Sequence, residues 1–198
     1  VPVEGDRAQC NCGFERRFAA PIRCRCRSVR WSVMAHAVVA ITIDATAAQV
    51  FDVVHDYKIR TDWDTLLRSA QLEGNVVPAQ GAVAVCAARW YLGGLVFKTR
   101  YVTFNRPVVA AVTLVKPYFI FENWSASIRH REAPGRGTDS ADGAASEVVY
   151  TLNLRCRPSW FARPLEAVAM KAFVIETRRR LRALKRYIEA TPGLRPSS

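Results

Sequence analysis

Two hydrophobic periods run along this chain, and the switch between them predicts its layout. Over residues 36–44, 66–72, 82–91, 95–104, 108–115, 124–131 and 146–157, apolar and β-branched residues form short runs or fall at alternate positions, as in strands. After the first run, Val50, Phe51 and Val54 share one face of a short helix over 47–55. Asp44 and Thr46 offer caps for it, and 56–64 reads as a second helical turn or loop. From 159 to 190 the period becomes helical: Leu165, Ala169, Phe173, Thr177, Leu181, Leu184 and Ile188 recur at steps of three or four. Arg178, Arg179, Arg180, Arg182, Lys185 and Arg186 are assigned mostly to the other side and to the C-terminal end, where cations suit the helix dipole. Turn signals at Glu73-Gly74-Asn75, Gly93-Gly94, Asn105-Arg106-Pro107 and Lys116-Pro117, and a polar loop over 132–145, separate the strands. Pro158-Ser159 starts the long helix and Pro192-Gly193 ends it. The order is one strand, two short helices, six strands and one long helix: α+β with an antiparallel sheet.

Composition narrows the function classes. At 198 residues the chain holds one domain, or one domain and a tail. No apolar run reaches the roughly 18 residues that span a bilayer, and no export signal is visible, so a cytoplasmic protein is expected. The net charge of +12 permits weak contact with acidic membrane surfaces. Nucleic-acid binding is not expected, because the cations are spread out instead of interleaved with aromatics on one element. Residues 1–33 stand apart: Arg-rich, aperiodic, and carrying four of the six cysteines as Cys10-Asn11-Cys12 and Cys24-Arg25-Cys26. This spacing differs from the structural zinc pattern and no His lies nearby, so neither metal nor cofactor is expected. We read 1–33 as a disordered tail or an upstream extension before Met34, 34–191 as the domain and 192–198 as a short tail. Cys86 and Cys156 fall in strands and read as plain buried thiols.

Three stretches carry a resemblance: ITIDATAAQVFDVVHDY from Ile41, RTDWDTLLRSAQLEG from Arg60, and RRRLRALKRYIE from Arg178. With the element order, they resemble the START/polyketide-cyclase superfamily (SRPBCC) over about 35–190. Members often have Pro just before the Trp of the second helix region; here Thr61-Asp62 precede Trp63. The resemblance implies a helix-grip fold: a curved seven-stranded antiparallel sheet, two short helices after the first strand, and a long C-terminal helix over a ligand cavity. The superfamily spans lipid carriers, cyclases, hormone receptors and ribosome-associated factors, so fold alone does not choose among them.

Alternation then proposes the cavity wall. Trp124, Ala126, Ile128 and His130 share one face, as do Val148, Tyr150, Leu152 and Leu154, and both sets are assigned to the concave side. With Leu165, Ala169 and Phe173 from the helix they make an apolar ligand site, in which Arg89, His130 and Tyr150 are candidates for orienting or catalytic roles. Arg89 and Tyr91 share a face; in cyclases of the superfamily, Arg and Tyr side chains orient a poly-ketone. The plainer expectation for His130, at a strand end between Arg129 and Arg131, is a solvated rim position. His55 with Asp56 reads as an acid–base pair or as a helix end with its cap. Trp63 is expected to anchor the short helices, with Asp62 and Asp64 solvated. The leading expectation is binding or transport of a small hydrophobic molecule: a lipid, quinone or polyketide-like ring. The alternatives are a polyketide aromatase/cyclase or dehydratase, and a protein or RNA interaction module using the basic end of the last helix. The sequence leaves catalysis, ligand identity and oligomeric state open.

Overall fold

The computed structural model describes residues 34–133 and 145–191. The tail over 1–33 with its Cys-x-Cys pairs, most of the 132–145 loop, and the end at 192–198 lie outside the described residues. The elements are β1 (Ala35–Ile43), α1 (Ala47–His55), α2 (Arg60–Trp63), β2 (Leu67–Leu72), β3 (Val83–Ala88), β4 (Val96–Asn105), β5 (Val109–Leu114), β6 (Phe121–Glu132), β7 (Ser146–Cys156) and α3 (Ala162–Ala190). The strands form one antiparallel sheet in the order β1-β7-β6-β5-β4-β3-β2. Because β1 and β2 are opposite edges, α1 and α2 carry the chain from one edge to the other. This is the helix-grip arrangement, and α3 packs on β1 and β7.

Local chemistry sets these boundaries. Thr46 caps α1 by accepting a hydrogen bond from the Gln49 amide (3.2 Å), while the Gln49 side chain accepts one from the Thr46 amide (2.9 Å). A bulge in β4 between Tyr101 and Thr103 leaves Val102 without a partner on β5. The extra residue lets Tyr101 and Phe104, three apart, both turn inward. Glu166 in the first turns of α3 accepts from the Cys156 amide (3.0 Å), stitching the helix start to the end of β7.

Three boundaries differ from the sequence reading by three residues or more, the first being β6, which begins at Phe121 instead of Trp124. Strand β3 stops at Ala88 instead of running to Tyr91, and Trp90–Leu92 form a 3-10 turn. Gly93 and Gly94 hold φ of 81° and 62°, and a Cβ on Gly94 would meet the Trp90 ring at 2.7 Å, so this turn requires glycine. Helix α3 begins at Ala162, not at Pro158-Ser159, with Pro164 in its first turn, where the missing N–H costs nothing.

The core is uneven. Phe51, Val50, Val53 and Val54 of α1 pack with Ile128, Val148, Leu181, Leu184 and Ile188 under the C-terminal half of α3. A smaller cluster of Ala126, Leu152, Leu154, Cys156 and Met170 lies under its N-terminal half. Cys86 and Cys156 are free, buried thiols, as expected. Trp63 is buried, as expected, with the Arg60 guanidinium 4.8 Å from its ring centroid.

Candidate functional site

Between the sheet and α3 the side chains leave a cavity of about 380 Å3. Its polarity is graded. Along β4 the wall reads Leu95 (just before the strand), Phe97, Thr99, Tyr101; along α3 it reads Ala169, Phe173, Thr177, Arg180. Both elements run from an apolar outer end to a polar inner end. The outer end is completed by Leu114, Ile120, Phe121 and Trp124, with Phe173 against the rings of Phe121 and Trp124 at 5.6 and 6.1 Å. Ala172 is exposed on the same wall, which places the mouth beside the N-terminal half of α3.

The inner end is built around Asp64, which is 0 % exposed. Arg180 donates to it twice, from Nε (2.8 Å) and Nη2 (2.7 Å), and Arg60 donates from Nε (3.0 Å). Arg60 Nη1 also donates to the Val54 carbonyl. Burial alone would raise the Asp64 carboxyl, but Arg180 and Arg60 outweigh it and hold it below the usual carboxylate range. Burial would likewise lower Arg180, yet Asp64 keeps its pKa above the ordinary value, so both groups are charged. Tyr150 stands beside this cluster, its ring centroid 5.8 Å from the Arg180 guanidinium. The Tyr57 and Tyr101 hydroxyls hydrogen-bond each other at 2.9 Å, and burial raises both phenol pKa values. His55 Nδ1 lies 2.8 Å from the Phe51 carbonyl, an acceptor only, so Nδ1 carries the proton and Nε2 keeps a lone pair. Burial first, and Arg60 with it, lowers the His55 pKa to about 3. Cys86 on the same wall is pushed up to about 11 by burial.

The sequence-derived residues divide in two. Trp124, Ile128, Tyr150, Leu152, Ala169 and Phe173 line the cavity. Arg89, Tyr91, His130, Val148 and Leu165 do not. Arg89 is exposed because β3 has already ended. Tyr91 is exposed on the following turn, donating from its hydroxyl to the Thr65 carbonyl (2.6 Å). His130 faces inward as alternation required, but α1 covers that end: it is 2 % exposed, 5.4 Å from the Phe51 ring, and not on a solvated rim. Val148 is closed into the same core, and Leu165 packs beside Met170. His55 and Asp56 are not a pair, since the Asp56 carboxylate accepts from the Lys58 amide. Asp64 is buried, not solvated, and Arg180 faces inward, unlike the other arginines named on its helix.

Sequence reasoning missed His55, Tyr57, Arg60, Asp64, Tyr101 and Arg180 as a group. Two signals were present. Arg60 and Asp64 stand four apart, the spacing of a helical ion pair. Arg180 follows Phe173 by seven, two turns on the same inward stripe. Among the described residues, no cluster of three or more His, Cys, Asp or Glu could hold a metal ion.

No curated protein matches the chain. Among solved structures, it is similar to the Bacillus cereus protein XoxI (20% identity, 78% of this chain and 95% of the other, TM-score 0.58). It is similar also to a START superfamily protein from Mycobacterium smegmatis (13% identity, 78% and 97%, TM-score 0.58). At these identities the likeness shows the fold. The model of the family described as polyketide cyclase / dehydrase and lipid transport matches residues 34–189, nearly all of the described chain, and to this family the protein belongs.

Proposed function

We propose that this protein binds and carries a small hydrophobic molecule of lipid, quinone or polyketide-like type, polar end inward and apolar end toward the mouth. The observation that carries the reading is the graded 380 Å3 cavity, a size and lining suited to a small organic ligand. Binding comes from burial of apolar area, about 25 cal/mol per Å2 before ordering costs. The cyclase or dehydratase alternative needs a proton-exchanging group in the cavity near neutral pH. His55 at about 3 and two phenols raised by burial fit that role poorly, which puts binding ahead of catalysis. Weak contact with an acidic membrane surface belongs to the same reading, because exposed aromatics cluster on the loops around the outer end.

The test is binding of N-phenyl-1-naphthylamine, a neutral apolar fluorophore, with native mass spectrometry for any co-purified molecule. Ala169→Trp sets an indole into the outer half of the cavity from a half-buried helix position. It is expected to weaken probe binding by about tenfold or more, with the circular dichroism spectrum unchanged. Probe affinity equal to that of the native protein would remove the cavity as the site.

A further inference from the structure

The inner end of the cavity carries more fixed positive charge than its acids neutralise. Two guanidinium groups, Arg60 and Arg180, converge on the single Asp64 carboxylate, and all three side chains are largely buried, at 14%, 11% and 0% exposure. Glu176, the acid that lines the cavity itself, is engaged elsewhere: it accepts from the Thr65 hydroxyl (2.8 Å) and pairs with Arg179 (3.9 Å). Arg180 uses Nε and Nη2 on Asp64, and Arg60 uses Nε on Asp64 and Nη1 on the Val54 carbonyl. Beyond Asp64, Arg180 has the neutral Tyr150 hydroxyl beside it, so among the described residues no second carboxylate pairs with either guanidinium. The Tyr57–Tyr101 pair spends one hydroxyl proton on itself and keeps another to donate. The further acceptors here are neutral: the His55 Nε2 lone pair and the hydroxyl oxygens of Thr99, Tyr150 and Thr177.

A surplus cation shut away from water is costly until an anion joins it. We infer that the ligand is an acidic amphiphile: an apolar body ending in one carboxylate-class anion, which sits against Arg60 and Arg180 with the tyrosine pair as further donor. This inference deepens the carrier reading above and rests on it. A neutral carbonyl would use the same donors without supplying the missing charge, so the acid is the better match. The gradient fits the same pose. Phe173 and Arg180 are seven residues apart on α3, about 10 Å along the helix axis, so one molecule reaches from the aromatic outer wall to the guanidinium pair.

The experiment is displacement of N-phenyl-1-naphthylamine from the native protein near neutral pH by decanoic acid and, separately, by methyl decanoate. The two share a chain and differ in charge. The acid is expected to displace the probe at roughly tenfold lower concentration. In Arg60→Gln, with the probe still bound, that gap should shrink to about threefold or less. If the probe binds and acid and ester are equivalent, the acidic-ligand assignment is overturned while the cavity reading stands. If the probe does not bind the native protein at all, both fall. An undiminished preference in a folded Arg60→Gln protein overturns the assignment to this guanidinium pair. Should that variant lose its fold by circular dichroism, the acid–ester comparison on the native protein decides alone.

Discussion

At the scale of single residues, burial decides the energetics. Asp64 holds two guanidiniums inside the protein, so removing it strands both charges. Asp64→Ala is expected to lower stability by about 3–5 kcal/mol, measured by urea unfolding. The histidines act through pH. Burial lowers His130 from 6.5 to about 4, and among the described residues neither of its ring nitrogens has a hydrogen-bond partner. Its folded pKa is below the unfolded one, so the unfolded chain takes up protons first as pH falls. Its contribution is complete above about 6.5 and is lost from there down to about 4, on the order of 3 kcal/mol. His55 adds a loss of the same sign that runs down to about 3. His130→Phe, packing a ring of similar shape against Phe51, should flatten part of that slope while changing stability little at pH 7. An unaltered pH dependence in the variant would contradict the assignment.

At the scale of elements, much was legible in advance, because period and punctuation are local properties. The seven strands, the two short helices and the long one all follow from alternation, helical spacing and turn residues. The inward faces of β6 and β7 followed as well, and with them Trp124, Ile128, Tyr150 and Leu152. The polar end of the cavity did not follow, since its members come from α1, the α1–α2 loop, α2, β4 and α3, and only the closed fold joins them. Tyr101 was hidden in addition by the bulge, which breaks the two-residue period next to it. Arg180 was assigned outward on residue type, although its spacing from Phe173 and Leu184 puts it on the inner stripe. The capping box of α1 gives this scale its prediction. Thr46→Ala loses the side-chain acceptor for the Gln49 amide and should cost about 1 kcal/mol, whereas Thr46→Ser should cost far less. Equal losses in urea unfolding would mean that the methyl group, not the hydroxyl, matters there.

At the scale of the whole molecule, the antiparallel order gathers particular loops at one end. The end of β3, the start of β4, the end of β5, the start of β6 and the end of β7 all lie together there. The turns between them expose Trp90 (75%), Tyr91, Phe119, Phe161 and Trp160 (83%). Phe119 holds a left-handed φ of 52°, a costly conformation for a bulky residue and a reason to look for a role. Cations accompany the rings: Arg68 lies 4.3 Å from Trp90, Arg179 lies 5.5 Å from Tyr91, and Arg157 Nε donates to the Phe119 carbonyl (3.0 Å). The cavity mouth opens among these loops. Aromatic side chains flanked by Arg are what an acidic lipid surface would attract, through insertion of the rings and Coulomb attraction of the guanidiniums. In the proposed reading, this end therefore rests on the membrane while ligand passes. Sedimentation with phosphatidylcholine vesicles carrying phosphatidylserine should show binding that weakens as salt is added. A Trp90→Ala, Trp160→Ala double variant should bind several-fold less, while Val77→Ser, an exposed apolar residue in the β2–β3 connection at the opposite end, should bind as the native protein does. Equal losses in both variants would reduce the attraction to net charge alone, and unchanged binding in the double variant would place the contact elsewhere on the surface.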